Sequence, residues 1–260
     1  MAAPPNSNAD AFLNNFAIRS FRDVADQDYV AARMAYRGRL IQQFHWASLQ
    51  AVEKYLKCIL MLNRVRANSL GHDLGKSLAL VETSLFPLRL TKESRGFITH
   101  IDRFGQFRYL EISYFVRGFE LVELDRTVWQ LRRYCQLLNT QLVGADGKPK
   151  TLRPFVLDAI ERAESEPPQK FRIHSGNLER ILDDKYHPAR PSLIWKNVFF
   201  GKGLRKSIRL RRYGHSANAP LALHPEMLDE VLKYAYIPGR VANAFRTAAS
   251  SRSKKPSTSP

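Results

Sequence analysis

The residues best placed to do chemistry sit on one long helix-forming stretch. Within Phe44–Leu62, FHWASLQAVEKYLKCILML, the polar side chains Gln50, Glu53 and Lys57 and the amphipathic Trp46 recur at intervals of three or four. At about 100° per residue they share roughly one-sixth of a helix circumference. Apolar residues cover most of the rest of that circumference, which places the helix in the middle of a bundle. Glu53 and Lys57 then have two readings: an i,i+4 ion pair worth about 0.2–0.5 kcal/mol, or a polar site inside the bundle.

Two further groups are candidates. In Gly71-His72-Asp73, a loop can fold back so that His72 and Asp73 approach one end of the bundle; Asp73 also suits a helix cap, with His72 facing solvent. Farther on, SLIWKNVFF, GKG and LRKSIRLRRYG read as a β-hairpin over 193–213, with Gly201 and Gly203 at its turn. Alternate strand residues share a face at a repeat of roughly 6.6 Å. Arg205, Arg209 and Arg211, with Ser207 between, form a one-sided row near the spacing of phosphates in an extended strand. Lys202, Lys206 and Arg212 add charge, and Trp195 and Tyr213 offer rings for stacking on bases. The plainer reading is a solvated strand face over a small core containing Trp195, Phe199 and Phe200.

The elements that must position these groups are mostly helices. Apolar spacing predicts a short helix over 10–22 and another over 26–40, with Asp26 or Asp28 as its cap and Gly38 at the turn into the central helix. Asp73 opens a helix that ends before Pro87, Thr91 opens one running to Phe104, and Glu120–Asn139 follows the 3-4 spacing of a bundle seam. Short loops between them make an antiparallel bundle of four to five helices over 10–140. Residues 141–150 read as a linker and 151–248 as a small basic α+β module carrying the hairpin. Within it, His224-Pro225 opens a last helix, and 249–260 has the composition of a disordered tail.

Charge narrows the partners. The net of +17 is uneven: residues 1–145 carry 19 basic and 13 acidic residues, and residues 146–260 carry 22 and 11. Such a field favours polyanions, with nucleic acid first and RNA favoured. No window of about 18 uninterrupted apolar residues exists, so no membrane partner is expected. The start, MAAPPNSNAD, lacks the basic and apolar runs of a secretory signal. Cys58 and Cys135 lie on apolar faces as buried free thiols, which fits a reducing cytoplasm. No Cys-x-x-Cys or His/Cys spacing suggests zinc, so no metal and no cofactor are expected.

Taken together, FHWASLQAVEKYLKCIL, then GHDLGKSL, then RFGQFRY before a final long helix resemble the HEPN family over roughly residues 26–140. The marks are Ala51, Glu53, Lys54 and Lys57, then His72-Asp73-Leu74, with Arg108-Tyr109 as the looser third. The resemblance implies an up-and-down bundle, often a homodimer, that binds RNA or nucleotides. Many members are metal-independent ribonucleases, and some pair with a nucleotidyltransferase in toxin–antitoxin or other bacterial stress-response and defence systems. The ribonucleases use an Arg, four to six residues and a His. A His exchanges protons near neutral pH and an Arg steadies charge on the phosphate.

Arg95 and His100 have that spacing here, but they precede the position at which the family carries its motif. That position holds Arg103 to Tyr109 with no His. The displacement favours a non-catalytic binding member. The alternatives are an endoribonuclease using Arg95 and His100, and a dimerisation or protein-docking module without nucleic-acid chemistry. On the first reading RNA or nucleotide is held by Trp46, Gln50, Glu53, Lys57, His72, Asp73, Arg103, Arg108, Tyr109, Arg205, Arg209 and Arg211.

Overall fold

The helical periodicity of the first 130 residues is realised almost throughout. The computed structural model describes residues 8–68, 70–105, 111–138, 141–143, 149–209 and 214–253. In chain order these form α1 (Asn8–Phe16), a π-helical stretch (Ala17–Arg22), α2 (Asp23–Arg37), α3 (Ile41–Leu62), α4 (Leu74–Ser84) and α5 (Lys92–Phe104). There follow β1 (Tyr114–Arg117), α6 (Glu120–Arg132), β2 (Gln141–Val143), β3 (Pro149–Thr151), α7 (Arg153–Ala163), α8 (Asn177–Asp183) and α9 (Arg190–Ile194). The chain closes with β4 (Gly214–Ala217), α10 (Pro220–Leu223), α11 (Leu228–Leu232) and α12 (Gly239–Ser253).

The chain divides into two units, residues 1–106 with 119–211, and residues 107–118 with 212–260. The first is a helical bundle built on α3, whose Phe44, Val52, Tyr55, Leu56 and Ile59 are fully buried. Ile160, Leu178, Leu182, Leu193 and Phe200 join the same core, so residues 151–209 belong to the bundle and the division expected at 141–150 lies elsewhere. The stretch read as a linker instead holds an antiparallel β2–β3 ladder, Gln141 opposite Thr151. Cys58 and Cys135 are buried free thiols, as their apolar faces require. Among the described residues, no helix is long and apolar enough to cross a membrane.

Two local expectations are corrected. α1, the π-helical stretch and α2 are consecutive, so no helix begins at Asp26 or Asp28 and neither caps one. Asp26 instead takes the Arg132 guanidinium, and Asp28 accepts from Lys54 Nζ at 2.6 Å. The hairpin over 193–213 is also absent from the described part of that range. Lys196 adopts φ +48°, in the left-handed region, and breaks the run. Asn197 Oδ1 accepts from the amides of Phe199 and Phe200 at 2.9 and 3.0 Å, while its Nδ2 donates to Leu193 O and Tyr29 Oη, each at 2.9 Å. These local bonds replace the ladder the alternating pattern suggests.

Buried ion pairs reinforce the apolar packing that fastens residues 170–200 to the bundle. Glu179 on α8 meets Arg132 on α6 at 2.8 and 2.7 Å. Burial alone would raise the Glu179 carboxyl, but the Arg132 charge and hydrogen bonds outweigh it and hold the group below the ordinary carboxylate range. A depressed folded value contributes stability above the unfolded pKa of about 4.3, lost as pH falls through the folded value. Glu179→Gln is therefore expected to lower stability most near pH 7, with the gap to wild type closing below about pH 4. Urea titrations at the two pH values check this, and a gap independent of pH would contradict it.

The second unit pairs β1 with β4 antiparallel, Tyr114 opposite Ala217 and Val116 opposite His215. Its small core gathers Leu221, Leu228 and Ala242 with Val231 and Phe245. The helix expected from His224-Pro225 begins as a 3-10 turn, Pro225–Met227, before α11. α12 runs into the expected tail as far as Ser253, and residues 254–260 lie outside the described residues.

Candidate functional site

The polar stripe of α3 opens onto a cavity at the end nearest the 63–73 loop. Glu53 is buried and has two partners: Lys57 Nζ donates to its Oε1 at 2.6 Å, and His72 Nδ1 lies 2.8 Å from its Oε2. The i,i+4 pair and the bundle site are thus one arrangement. His72 reaches it because the loop reverses at Arg64 and Gly71, with φ of 59° and 57°; at Gly71 the missing Cβ makes that conformation cheap. The loop is pinned where α4 begins. Asp73 accepts from Lys76 N at 2.8 Å, and Asp102 of α5 accepts from Leu74 N at 3.0 Å, so two otherwise orphaned amides are satisfied. The Lys76 amide also holds the Asp73 carboxyl below its ordinary value.

Between this loop and the helices lies a cavity of about 500 Å³. Phe21, Met61 and Val65 give it an apolar wall, and the basic residues Lys57 and Arg66, with His72, also line it. Phe21 comes from the π-helical stretch, a feature that tends to accompany functional sites. Trp46 and Gln50, higher on the stripe, are not among its lining residues; Trp46 packs against the core, and Gln50 Oε1 accepts from Lys54 Nζ at 3.0 Å.

Arg95 and His100 turn to different partners. The Arg95 guanidinium grips Glu82 of α4 with two bonds of 3.1 and 2.6 Å, and this contact raises its pKa further. His100 faces inward, its ring 5.2 Å from that of His45 and 4.8 Å from that of Phe104, with its Nε2 3.7 Å from Glu120 Oε1. His45 Nε2 lies 2.8 Å from Glu120 Oε2. Arg103 is exposed, its guanidinium 5.2 Å from the Phe104 ring centre.

The basic row expected on a strand is not formed where the chain is described. Arg209 is exposed in irregular chain, while Arg205 lines a second cavity of about 370 Å³ together with Arg190 and Lys202. Trp195 and Phe199 pack against the bundle core and Phe200 is buried in it. Arg108, Tyr109 and Arg211 lie outside the described residues.

Sequence reasoning passed over Phe21, His45, Arg66 and Glu120. Arg66 carried one usable signal, its place in the basic loop RVRANSLGHD beside His72. His45 and Glu120 carried none, since they and His100 are scattered along the chain and meet only through packing of α3, α5 and α6. Against this geometry, no protein-family model matches the chain, and no curated protein or solved structure shows significant similarity to it.

Proposed function

We propose that the chain binds single-stranded RNA or a nucleotide, without cleaving it, in the cavity beneath the 63–73 loop. The observation that carries this is the convergence of Lys57, Arg66 and His72 on a hollow with an apolar wall, in a protein of net charge +17. Phosphate takes the cationic side, and a sugar or base packs on Phe21 and Met61. Buried Glu53 orients Lys57 and His72 from behind. This is the binding role that a HEPN-like bundle implies, and a place in bacterial stress response or defence follows on the same reading. Arg95, committed to Glu82, serves as a structural clamp between α4 and α5.

Labelled single-stranded RNA titrated at rising salt tests the proposal. With three phosphate contacts the log–log slope should be about −2, at roughly −0.7 per phosphate. Lys57→Ala/Arg66→Ala should weaken binding at least about tenfold and flatten that slope by about 1.4. A flat salt response in the wild type would favour a protein-docking module instead; unchanged binding by the double variant would remove this cavity as the site.

A further inference from the structure

We infer that His45, His100 and Glu120 form a binding site for a divalent transition-metal ion, zinc first among them. The inference is independent of RNA binding. One imidazole nitrogen from each His and a carboxylate oxygen of Glu120 all lie within 4.8 Å of one another. Two imidazoles and one carboxylate are a recurrent zinc ligand set with an open fourth position. Bonds of about 2.0–2.1 Å at tetrahedral angles put two ligands of one zinc about 3.3–3.4 Å apart. Glu120 Oε2 is 2.8 Å from His45 Nε2 and Glu120 Oε1 is 3.7 Å from His100 Nε2, separations on either side of that value, so side-chain shifts of about half an ångström bring the three groups onto one ion.

The surroundings hold the three groups in place. They come from three elements: His45 from the first turn and a half of α3, His100 from α5, and Glu120 from the first residue of α6. Gly105, just past α5, lets that helix end against α3: a Cβ there would sit 3.0 Å from His45 O and 3.0 Å from Leu49 Cβ. Phe44 and Phe104 flank the two rings at 5.3 and 4.8 Å. Glu120 and His45 are buried, as is the His100 Nε2 that faces them, while the rest of the His100 side chain keeps 18 % of its exposure.

The test uses the full chain, stripped with chelator and then dialysed against about 10 µM free Zn²⁺. Elemental analysis should find one zinc per chain in the wild type and in His72→Ala, which removes an exposed His elsewhere. His100→Ala and Glu120→Gln should lower affinity at least about 100-fold, and zinc should raise the melting temperature of the wild type but not of His100→Ala. Circular dichroism verifies that the variants fold; His100→Ala, at the partly exposed position, decides the matter if Glu120→Gln does not. Substoichiometric zinc in the wild type, or equal zinc in His100→Ala, would overturn the assignment.

Discussion

Replacing Arg132 with methionine is expected to lower the free energy of unfolding by about 3–5 kcal/mol, because it strips two buried carboxylates of their shared counter-charge. Asp26 receives Nε and Nη2 at 2.7 and 2.9 Å, and Glu179 receives Nη1 and Nη2 at 2.8 and 2.7 Å. Asp26 further accepts from Tyr55 Oη at 2.6 Å and Leu178 N at 3.3 Å, so it cannot swing out to water without breaking those bonds. With the guanidinium gone, two carboxylates face each other out of water, and Glu179 loses the charge that holds its carboxyl below the ordinary range. The loss should therefore be greatest near pH 7 and smaller in acid. Urea unfolding followed by circular dichroism measures it, with Lys54→Ala as the contrast: its pair with Asp28 is partly solvated, and about 1 kcal/mol or less is expected. A loss under about 1 kcal/mol for Arg132→Met would show that the network is energetically idle.

Arg33→Met should cost a similar amount, about 3–5 kcal/mol, and should loosen a defined part of the chain. Arg33 is fully buried; its guanidinium meets Asp125, the Ser192 carbonyl (3.0 Å from Nε) and the Trp195 carbonyl. Burial already raises the Asp125 carboxyl, and Arg33 is the main force pulling it back. Without Arg33 only the raising influence and the Tyr29 hydrogen bond of 2.7 Å remain. Tyr29→Phe, which removes the hydroxyl and with it the bonds to Asp125 and from Asn197 Nδ2, should cost about 2 kcal/mol, roughly 1 kcal/mol for each hydrogen bond. In hydrogen exchange, amides of residues 190–200 should open at lower free energy in Arg33→Met while those of α3 change only with global stability. Uniform loosening of both regions would show that Arg33 acts through Asp125 alone.

The sequence was legible where local chemistry decides. Continuous apolar faces place α3 and α6, Asp73 and Thr91 cap the helices they open, and the run without Gly or Pro from Phe44 to Leu62 lies within one helix. It was opaque where distant partners decide. The run SLIWKNVFF has the apolar residues of a strand, but the Ser192 and Trp195 carbonyls turn to Arg33, and Asn197 caps its own neighbours. Nothing near Asp26 announces that Arg132 will claim it from 106 residues away. The candidate site divides the same way. Glu53, Lys57 and His72 were visible through helix spacing and one loop. His45 and Glu120 are not, because their meeting depends on the packing angle of three helices.

The pairing of β1 with β4 sets a timetable for biosynthesis. Val116 leaves the ribosome roughly 100 residues ahead of its partner His215. At about 5–20 residues per second that is a wait of about 5–20 s. Throughout it, Tyr114-Phe115-Val116 is a short apolar strand with both edges open, the kind of segment that recruits foreign strands or chaperones. The bundle has all its chain by residue 211 and can close on its own schedule, whereas the second unit is obliged to finish last. A ribosome stalled near residue 211 would thus carry a bundle able to fold beside a β1 still waiting for its mate.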